Sequence, residues 1–383
     1  MRYNTVMKIA HLADLHLGKS VNGFSMIEDQ RYILNQILNL LAQEAVTTVM
    51  IAGDVYDKAV PSGEAVKLLD WFLASLVEKK MEVMMIAGNH DSGDRLSFGS
   101  SLFENMHIHI VGNYEGSIPH YVMNDGYGPL YFYLCPFIRP ITVNRYIADE
   151  KEKVGDYTQA MQYVIQKENI DFTQRNMILS HQFVTGAQVD ENGSEELVVG
   201  GLDQISSEVY DGFDYVCLGH IHRPQTIQKD TIRYSGTPLK YSLSESNQIK
   251  VLPIIDFKEK GNIEIKEIQL TPLYDMKHIK GKFSDIMQQA KDEQYIYVTL
   301  TDEEDIPDAI RDLRQLFPRI MKLDYDNTRT RNLYMNTTVD NLPQQSPYEV
   351  FTTFYKERTK QELTEKQQQI IQDLMQEVWE DEQ

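Results

Sequence analysis

The N-terminal quarter of the chain alternates between short apolar runs and stretches with helical periodicity. Residues 8–13, 47–52 and 82–87 are apolar runs, whereas 26–45 and 63–79 place their apolar side chains on one helical face. Strands that alternate with helices in this way are joined by crossover connections and pair in parallel. The pattern therefore predicts a parallel β-sheet covered by helices.

The same pattern continues more weakly into the middle of the chain. Residues 176–179 and 213–218 predict two further buried strands. Residues 231–234 and 248–257 are expected to close a second sheet as antiparallel strands. Together these elements predict an α/β fold, a four-layer α-β-β-α sandwich over residues 1–270.

The pattern changes beyond residue 270. Residues 271–330 alternate strand and helix without any cluster of metal-ligating side chains, which predicts a small α/β cap domain. Residues 331–345 predict a polar linker, and 346–383 a C-terminal helical pair whose second helix begins with a capping box from Thr364 to Gln367. This pair is either a hairpin packed on its own core or a docking surface for another chain.

Five short polar motifs stand at the ends of predicted strands. They are Asp14-Leu15-His16, Gly53-Asp54, Gly88-Asn89-His90-Asp91, Ser180-His181 and Gly219-His220-Ile221-His222. A single Asp-x-His or His-x-His is usually incidental, but five motifs that each end a strand are not. Ligand sites in open α/β sheets lie beyond the carboxyl ends of the strands, so we expect these motifs to meet.

The side chains of these motifs match the ligands of a two-metal hydrolytic centre. The predicted ligands are Asp14, His16, Asp54, Asn89, His181, His220 and His222. Asp54 is the natural bridge between two ions, because it ends a strand and follows a glycine that permits a tight turn. Oxygen and imidazole ligands without thiolate favour two divalent ions, with Mn²⁺ preferred and Mg²⁺ as the alternative.

Candidate catalytic residues lie beside these ligands. His90 follows Asn89, so its side chain points elsewhere and is available as a general acid or a phosphate donor. Asp57 is the second candidate, and Asp57 and Asp91 are expected to orient His90. Arg95 is a candidate phosphate contact.

Charge and cysteine content limit the class of protein. The chain has 37 basic and 57 acidic residues, a net charge of −20, which argues against gripping DNA by a basic face of its own. With Asp14 and Asp54 as the anionic ligands, two divalent ions would keep about two positive charges for an anionic substrate. Cys135 and Cys217 lie in apolar runs, which excludes a disulfide framework. No membrane span or secretory leader is expected, and the predicted location is the cytoplasm.

The motifs resemble those of the calcineurin-like metallophosphoesterases, whose pattern is D-x-H, G-D, G-N-H-[DE], H and G-H-x-H. Finer detail is similar to the bacterial SbcD-type nuclease subunits, notably the run from Tyr234 to Ser242 and the Gly53-Asp54-Val55-Tyr56-Asp57 segment. The predicted cap domain and C-terminal helices fit the same family. The resemblance therefore covers nearly the whole chain.

This resemblance implies a manganese-dependent DNA nuclease, an ATP-dependent exonuclease on duplex ends and an endonuclease on single strands and hairpins. It implies that Asp14, His16, Asp54 and His222 bind one metal, and Asp54, Asn89, His181 and His220 the other. It implies that His90 is the catalytic histidine. It also implies a homodimer within a heterotetramer with an SbcC-like ABC-type ATPase, which would supply much of the DNA-binding surface in repair, replication and recombination. It implies that the C-terminal helices, residues 346–383, dock on this ATPase partner.

Two other functions remain open from the sequence. One is a metal-dependent phosphoesterase that acts on small phosphodiesters or proteins, although such an enzyme needs neither a cap domain nor a C-terminal helical pair. The other is a non-catalytic scaffold on the same fold, which the complete set of predicted ligands disfavours.

Overall fold

The computed structural model of the chain describes residues 6–189 and 203–335, and in the C-terminal segment residues 352, 355–356, 362–364, 366–368 and 371. The chain divides into two units. The first comprises Met1–Leu300 and Ile306–Asp324, and the second comprises Thr301–Asp305 and Tyr325–Gln383.

Most strands of the described residues belong to two six-stranded sheets. In chain order the strands are β1 (Met7–Leu12), β2 (Ser20–Val21), β3 (Phe24–Ser25), β4 (Thr48–Ala52), β5 (Glu82–Ile86), β6 (Ile108–Val111), β7 (His120–Asp125), β8 (Gly128–Cys135), β9 (Arg175–His181), β10 (Phe183–Val184), β11 (Gln204–Ile205), β12 (Tyr215–Gly219), β13 (Gln225–Ile227), β14 (Lys229–Tyr234), β15 (Val251–Phe257), β16 (Ile263–Gln269), β17 (Met276–Gly281), β18 (Tyr295–Leu300) and β19 (Ile320–Tyr325).

The helices of the described residues include three long ones and several short ones. In chain order they are α1 (Ile27–Gln43), α2 (Gly63–Glu78), α3 (Gly93–Leu96), α4 (Ser100–Phe103), α5 (Pro140–Asn144), α6 (Tyr157–Lys167), α7 (Phe283–Ile286), α8 (Ala309–Leu316) and α9 (Thr328–Met335). The strand and helix positions predicted for the N-terminal quarter are confirmed to within one or two residues.

The first sheet has the strand order β16-β15-β1-β4-β5-β6. Strands β1, β4, β5 and β6 are parallel, as the alternation of strands and helices predicts. One expectation is wrong: residues 248–257 do not close the second sheet. Instead β15 pairs antiparallel with β1, from Met7 opposite Phe257 to Ala10 opposite Ile254. Every residue of β15 except Val251 and Asp256 is buried, so its apolar run indicated a strand but not which sheet it joins.

The second sheet has the order β13-β14-β12-β9-β8-β7. Strand β14, predicted as antiparallel, pairs in parallel with β12 and antiparallel with β13. The expected antiparallel direction is therefore confirmed toward β13 and wrong toward β12, because a short apolar run carries no information about its partners. Strands β8, β9 and β12 are parallel to one another, so their carboxyl ends lie at one edge of the sheet.

Three buried clusters define four layers. One lies between α1, α2 and the first sheet, a second lies between α5, α6 and the second sheet, and a third lies between the two sheets. The inter-sheet cluster includes Met50 and Met84 from the first sheet and Phe132 and Met177 from the second. The predicted α-β-β-α sandwich is confirmed.

The apolar face of α2 is part of this core. Leu68, Phe72 and Leu76 are fully buried, and Leu69 is 5% exposed. Ser62 caps the helix by accepting a hydrogen bond from the Ala65 main-chain N–H at 3.2 Å. These leucine and phenylalanine side chains stabilise the fold rather than offering a surface to another molecule.

Strands β17, β18 and β19 form a three-stranded sheet within residues 271–330, with α7 and α8 between them. This is the alternation predicted for the cap domain, although its boundaries as a domain stay a prediction. Residues 331–335, where a linker was predicted, belong to α9. The remainder of that predicted linker, 336–345, lies outside the described residues.

Most of the predicted C-terminal helical pair also lies outside the described residues, but one feature of it is visible. The predicted capping box is confirmed, since Thr364 N–H donates to Gln367 Oε1 at 2.9 Å and Gln367 N–H donates to Thr364 Oγ1 at 3.4 Å. None of the helices in the described residues has the length and apolar character needed to span a bilayer.

One buried histidine, His11 of β1, links the two sheets. Its Nδ1 lies 3.1 Å from the Tyr215 hydroxyl and its Nε2 lies 3.1 Å from the Leu218 carbonyl oxygen, both on β12. Burial lowers the pKa of His11 from 6.5 to about 3. The side chain is therefore neutral in the folded protein at physiological pH.

Because His11 stays neutral in the folded protein, we expect the free energy of unfolding to decrease in mild acid. As the pH falls from 7 to 5, the unfolded chain binds a proton at His11 but the folded chain does not, so the free energy of unfolding decreases by roughly 2 kcal/mol from this group. The measurement is the free energy of unfolding in urea at pH 7 and at pH 5. We expect the difference between the two values to be roughly 2 kcal/mol smaller in His11→Gln than in wild type. His278→Gln, a change at an exposed histidine, should keep the wild-type dependence. Identical pH dependence in wild type and His11→Gln would contradict the prediction.

Candidate active site

All seven predicted ligands come together where parallel strands of both sheets end. Asp14 and His16 follow β1, Asp54 follows β4, Asn89 follows β5, His181 ends β9, and His220 and His222 follow β12. Asn89 is half-buried, and the other six are buried. The two sheets therefore bring together at one edge residues that are more than 200 positions apart in the sequence.

The donor atoms form two groups that share one carboxylate. In the first group, the Nε2 atoms of His16 and His222 lie 3.1 Å apart, and His16 Nε2 lies 3.7 Å from Asp54 Oδ2. In the second, Asn89 Oδ1 lies 3.0 Å from both His181 Nε2 and His220 Nδ1. His181 Nε2 lies 3.3 Å from the same Asp54 Oδ2. Asp54 thus occupies the position expected of a bridge.

Asp14 lies between these groups. Its Oδ1 accepts a hydrogen bond from the His220 main-chain N–H at 2.9 Å and lies 3.9 Å from His181 Nδ1. Its Oδ2 is buried without a hydrogen bond within the described part of the chain, and the same is true of His16 Nδ1. Asp14, Asp54 and His181 form one cluster with metal-ligating spacing, and His16, Asp54 and His90 form another.

These observations fit a pair of divalent cations. A buried carboxylate oxygen without a hydrogen-bond donor is costly, and a cation satisfies it directly. Asp14, Asp54 and Asn89 contribute oxygen donors, and the histidines contribute imidazole nitrogens. This mixture, without thiolate, is one that hydrolytic metal pairs use.

The ionisation states differ among the predicted ligands. Burial lowers the pKa of His220 to about 3 and also holds the pKa of His16 well below its ordinary value, so both rings are neutral. Burial alone would raise the pKa of Asp54, but the charge on neighbouring His181 outweighs it and lowers that pKa. Burial raises the pKa of Asp14 to about 7. Although burial opposes it, Asp54 raises the pKa of His181 to about 9, so a cation bound there would displace a proton.

The backbone at four of the ligands is left-handed. The φ angles are 53° at Asp14, 44° at His16, 47° at Asp54 and 104° at His220. Aspartate and histidine are among the few residues besides glycine that are enriched in this region. The backbone therefore turns sharply at these residues, just beyond the ends of their strands, instead of continuing in the extended conformation.

Two glycines of the motifs are required because neighbouring atoms lie too close for a side chain. A Cβ atom on Gly88 would overlap the Asp54 carboxylate, and one on Gly219 would overlap the Ala52 carbonyl oxygen. Any larger residue at either position would push apart the loops that carry the ligands.

His90 lies at the mouth of this cluster, with a side chain that is 14% exposed. Its main-chain N–H donates to Asp54 Oδ1 at 2.9 Å, and its Nε2 lies 3.9 Å from Asp54 Oδ2. Its Nδ1 lies 3.2 Å from the main-chain carbonyl oxygen of Asp57. The backbone of Asp57 therefore fixes the ring and leaves Nε2 directed toward the site.

The carboxylates expected to orient His90 make other contacts. Asp57 Oδ1 accepts a hydrogen bond from Lys19 Nζ at 2.7 Å and lies 3.6 Å from His16 Nδ1. Asp91 accepts hydrogen bonds from three main-chain N–H groups, of Val55, Tyr56 and Gly88, at 2.9 to 3.0 Å. It therefore ties the loop after β4 to the loop after β5. Arg95 donates to the Ala59 carbonyl oxygen at 2.8 Å.

Sequence reasoning missed two residues that hold the His16 loop. Gln30 of α1 donates to the His16 carbonyl oxygen at 2.7 Å and accepts from the Gly18 N–H at 2.9 Å. Tyr241 donates to the Leu15 carbonyl oxygen at 2.8 Å. A signal existed for Gln30, because it is one of two polar residues, with Asp29, among the buried and mostly apolar residues of α1.

Sequence reasoning also missed a buried ion pair beneath His222, formed by Glu245 and Lys250 at 2.7 Å. The only available signal was proximity, since both residues follow the run from Tyr234 to Ser242 that carries the finer resemblance. Neither the periodicity nor the ligand motifs indicate that these charged side chains are buried.

Comparisons with known proteins agree with the fold. The family model of calcineurin-like phosphoesterases matches residues 7–224, and a model described as the Type 5 capsule protein repressor C-terminal domain matches residues 272–359. The chain belongs to the calcineurin-like phosphoesterase family. Over 379 residues it is 32% identical to the SbcD subunit of nuclease SbcCD from Staphylococcus epidermidis, and the match covers 96% of this chain and 98% of that protein. Within the family it is an SbcD-type member.

Solved structures give weaker likenesses. A dimetal phosphatase from Danio rerio is 14% identical with a TM-score of 0.43, and covers 70% of this chain and 99% of its own. The TT1561 protein of Thermus thermophilus is 14% identical with a TM-score of 0.41, and covers 69% of this chain and 99% of its own.

Proposed function

We propose that this protein is the nuclease subunit of an SbcCD-type complex and hydrolyses DNA phosphodiester bonds with two divalent metal ions. The observation that carries the proposal is the pair of donor groups that share Asp54 at the carboxyl ends of parallel strands. The proposed activities are an ATP-dependent exonuclease on duplex ends and an endonuclease on single strands and hairpins. Its proposed roles are DNA repair, replication and recombination in the cytoplasm.

In this proposal Asp14, His16, Asp54 and His222 hold one ion, and Asp54, Asn89, His181 and His220 hold the other. Mn²⁺ is the proposed metal and Mg²⁺ the alternative. When bound, such a pair activates water and neutralises charge on the phosphate. Only the carboxylates of Asp14 and Asp54 offset the four positive charges of the ions, so about two positive charges remain to attract the phosphodiester.

His90 is the proposed general acid. Its Nδ1–H donates to the Asp57 carbonyl oxygen, and this contact fixes the plane of the ring. Its Nε2 then carries the proton to the oxygen that leaves the phosphorus. The Asp57 carboxylate, predicted from the sequence as catalytic, is proposed instead to hold Lys19 and face His16.

The net charge of −20 supports a partner in DNA binding. A protein that binds DNA alone usually presents a basic face that replaces the counterions of the phosphates. Here the proposed metal pair supplies local positive charge. The proposed SbcC-like ABC-type ATPase supplies most of the remaining DNA-binding surface.

Exposed apolar side chains support the proposed homodimer within the heterotetramer. Phe98 lies in the turn after α3, Leu102 in α4 and Met106 at the end of the short 3₁₀ helix Glu104–Met106, and they are 84%, 70% and 52% exposed. Large exposed apolar side chains within one short segment are typical of surfaces that another protein covers. We propose that a second copy of the chain covers this segment.

Cleavage of labelled DNA tests the proposed function. We expect the full-length chain to cut a hairpin in Mn²⁺ and to be inactive with a chelator, and an SbcC-like partner with ATP to extend cleavage along duplex ends. Turnover of a small phosphodiester without DNA cleavage, even with the partner and ATP, would instead favour the alternative of a phosphoesterase for small substrates or proteins.

A further inference from the structure

A charged pair lies directly behind one of the proposed metal ligands. Glu245, at the end of the short 3₁₀ helix Leu243–Glu245, is fully buried, and Lys250, just before β15, is 5% exposed. Glu245 Oε2 and Lys250 Nζ are 2.7 Å apart. Glutamate and lysine are rarely buried to this degree, and a buried ion pair gives little net stability by itself. The neighbours of Glu245 and Lys250 indicate a role other than stabilising the fold.

Lys250 is held in a fixed position by several acceptors. Its ammonium nitrogen lies 2.7 to 2.9 Å from four acceptors, more than its three N–H groups can each bond singly: the His222 carbonyl oxygen, Thr237 Oγ1, Gln248 Oε1 and Glu245 Oε2. One end of this network is thus the backbone of a proposed ligand. The positive charge of Lys250 also offsets the negative charge of Glu245, so the pair adds no net charge to the site.

The second oxygen of Glu245 faces the imidazole of His222. Glu245 Oε1 lies 3.5 Å from His222 Nδ1, whereas the opposite nitrogen, Nε2, lies 3.1 Å from His16 Nε2 in the first donor group. One ring nitrogen therefore faces a carboxylate, and the other faces the proposed metal position. A proton on Nδ1 leaves the lone pair of Nε2 free for a cation.

We propose that Glu245, held by Lys250, is a positioning residue that fixes the tautomer and the ring orientation of His222. The inference rests on the proposed two-metal function, since His222 is a ligand only in that context. Hydrogen bonding of a carboxylate to the distal nitrogen of a ligating histidine raises metal affinity, and its loss commonly weakens binding 10- to 100-fold, as an order of magnitude.

Because Lys250 fixes the orientation of the side chain at position 245, the variant Glu245→Gln tests the positioning of His222. In Glu245→Gln, the ammonium of Lys250 requires the amide oxygen, so the amide NH₂ faces His222 Nδ1. That arrangement favours the tautomer with the proton on Nε2, which cannot bind a cation. Glu245→Gln therefore opposes ligation by His222 while keeping a side chain of nearly the same size at position 245.

Equilibrium titration of the full-length chain with Mn²⁺ alone tests the inference. We expect wild type to bind two ions, and Glu245→Gln to bind one normally and the other roughly 10- to 100-fold more weakly. The matched control is Glu44→Gln, because Glu44 is also paired with a lysine, Lys266, at 2.7 Å but lies away from the site. This control should bind both ions like wild type.

A second variant separates positioning from folding. Lys250→Met leaves the buried Glu245 without its ammonium partner, so we expect the melting temperature to fall by several degrees. In Glu245→Leu with Lys250→Met, the melting temperature should recover, because no buried charge remains. The weakened Mn²⁺ affinity should not return to the wild-type value, because no oxygen of residue 245 faces His222 Nδ1.

The outcomes distinguish this inference from the proposed function. Two ions bound with unchanged affinity in both Glu245→Gln and the double variant Glu245→Leu with Lys250→Met would overturn the positioning role and leave the two-metal centre intact. Failure of wild type to bind Mn²⁺ would overturn the proposed function, and the inference with it. Recovery of affinity in the double variant would show that Glu245 acts only through the stability of the loop, which also overturns the inference.

Discussion

Replacement of Asp54 by asparagine is expected to reduce metal-dependent DNA cleavage by more than about 10³-fold. The physical reason is that Asp54 Oδ2 faces both donor groups, at 3.7 Å from His16 Nε2 and 3.3 Å from His181 Nε2. Loss of its charge weakens the binding of both ions at once. The measurement is Mn²⁺ binding by titration, together with the cleavage rate of a labelled hairpin.

Two control variants make this prediction specific. Asp211→Asn removes an exposed carboxylate that pairs with Lys229 at 2.7 Å, and should leave both binding and cleavage unchanged. Asn89→Ala should weaken only the ion of the second donor group, because Asn89 contacts only His181 and His220 there. Normal binding of one ion by Asp54→Asn would show that the carboxylate is not shared.

His90→Ala is expected to slow DNA cleavage by about 10²- to 10⁴-fold while two Mn²⁺ ions still bind. The ring is within 3.9 Å of Asp54 but is more exposed than the other histidines of the site, as a proton donor to substrate needs to be. If His90 protonates the leaving oxygen, a substrate with a good leaving group should depend on it much less. We therefore expect a smaller loss, below about tenfold, on bis(4-nitrophenyl) phosphate.

The comparison between the two substrates also tests the alternative role of His90. A histidine that only binds phosphate would affect both substrates to the same extent, so equal losses would contradict the general-acid role. His278→Ala, at an exposed histidine bonded to Thr299, is the matched control and should retain wild-type rates on both substrates.

The sequence predicted which residues gather at the site because the information needed is local. Each motif ends a strand, and parallel strands end at a common edge, so the gathering of Asp14, Asp54 and Asn89 follows from the strand-helix alternation alone. The pairing of the later strands was not predicted correctly. Strand β15 joins the first sheet and β14 runs parallel to β12, because strand direction depends on long-range pairing that apolar periodicity does not record.

The supporting residues of the site were predictable only in part. Asp91 was placed near the site, but its bonds to three backbone N–H groups were not foreseen. The burial of Glu245 and Lys250 could not be inferred, since both look like ordinary surface residues in a polar segment. The role of Glu245 and Lys250 can be recognised only from the fold, which places them beside His222, a predicted ligand that follows β12.

The left-handed backbone at the ligands has a consequence for protein engineering. A designer who wished to graft this centre onto another scaffold would need four separate departures from ordinary strand geometry, at Asp14, His16, Asp54 and His220. Each costs roughly 1–3 kcal/mol and persists only where the surrounding structure enforces it. Transplanting the side chains alone would therefore leave them splayed. The transferable unit is the set of turns, together with the glycines and buried polar side chains that hold them.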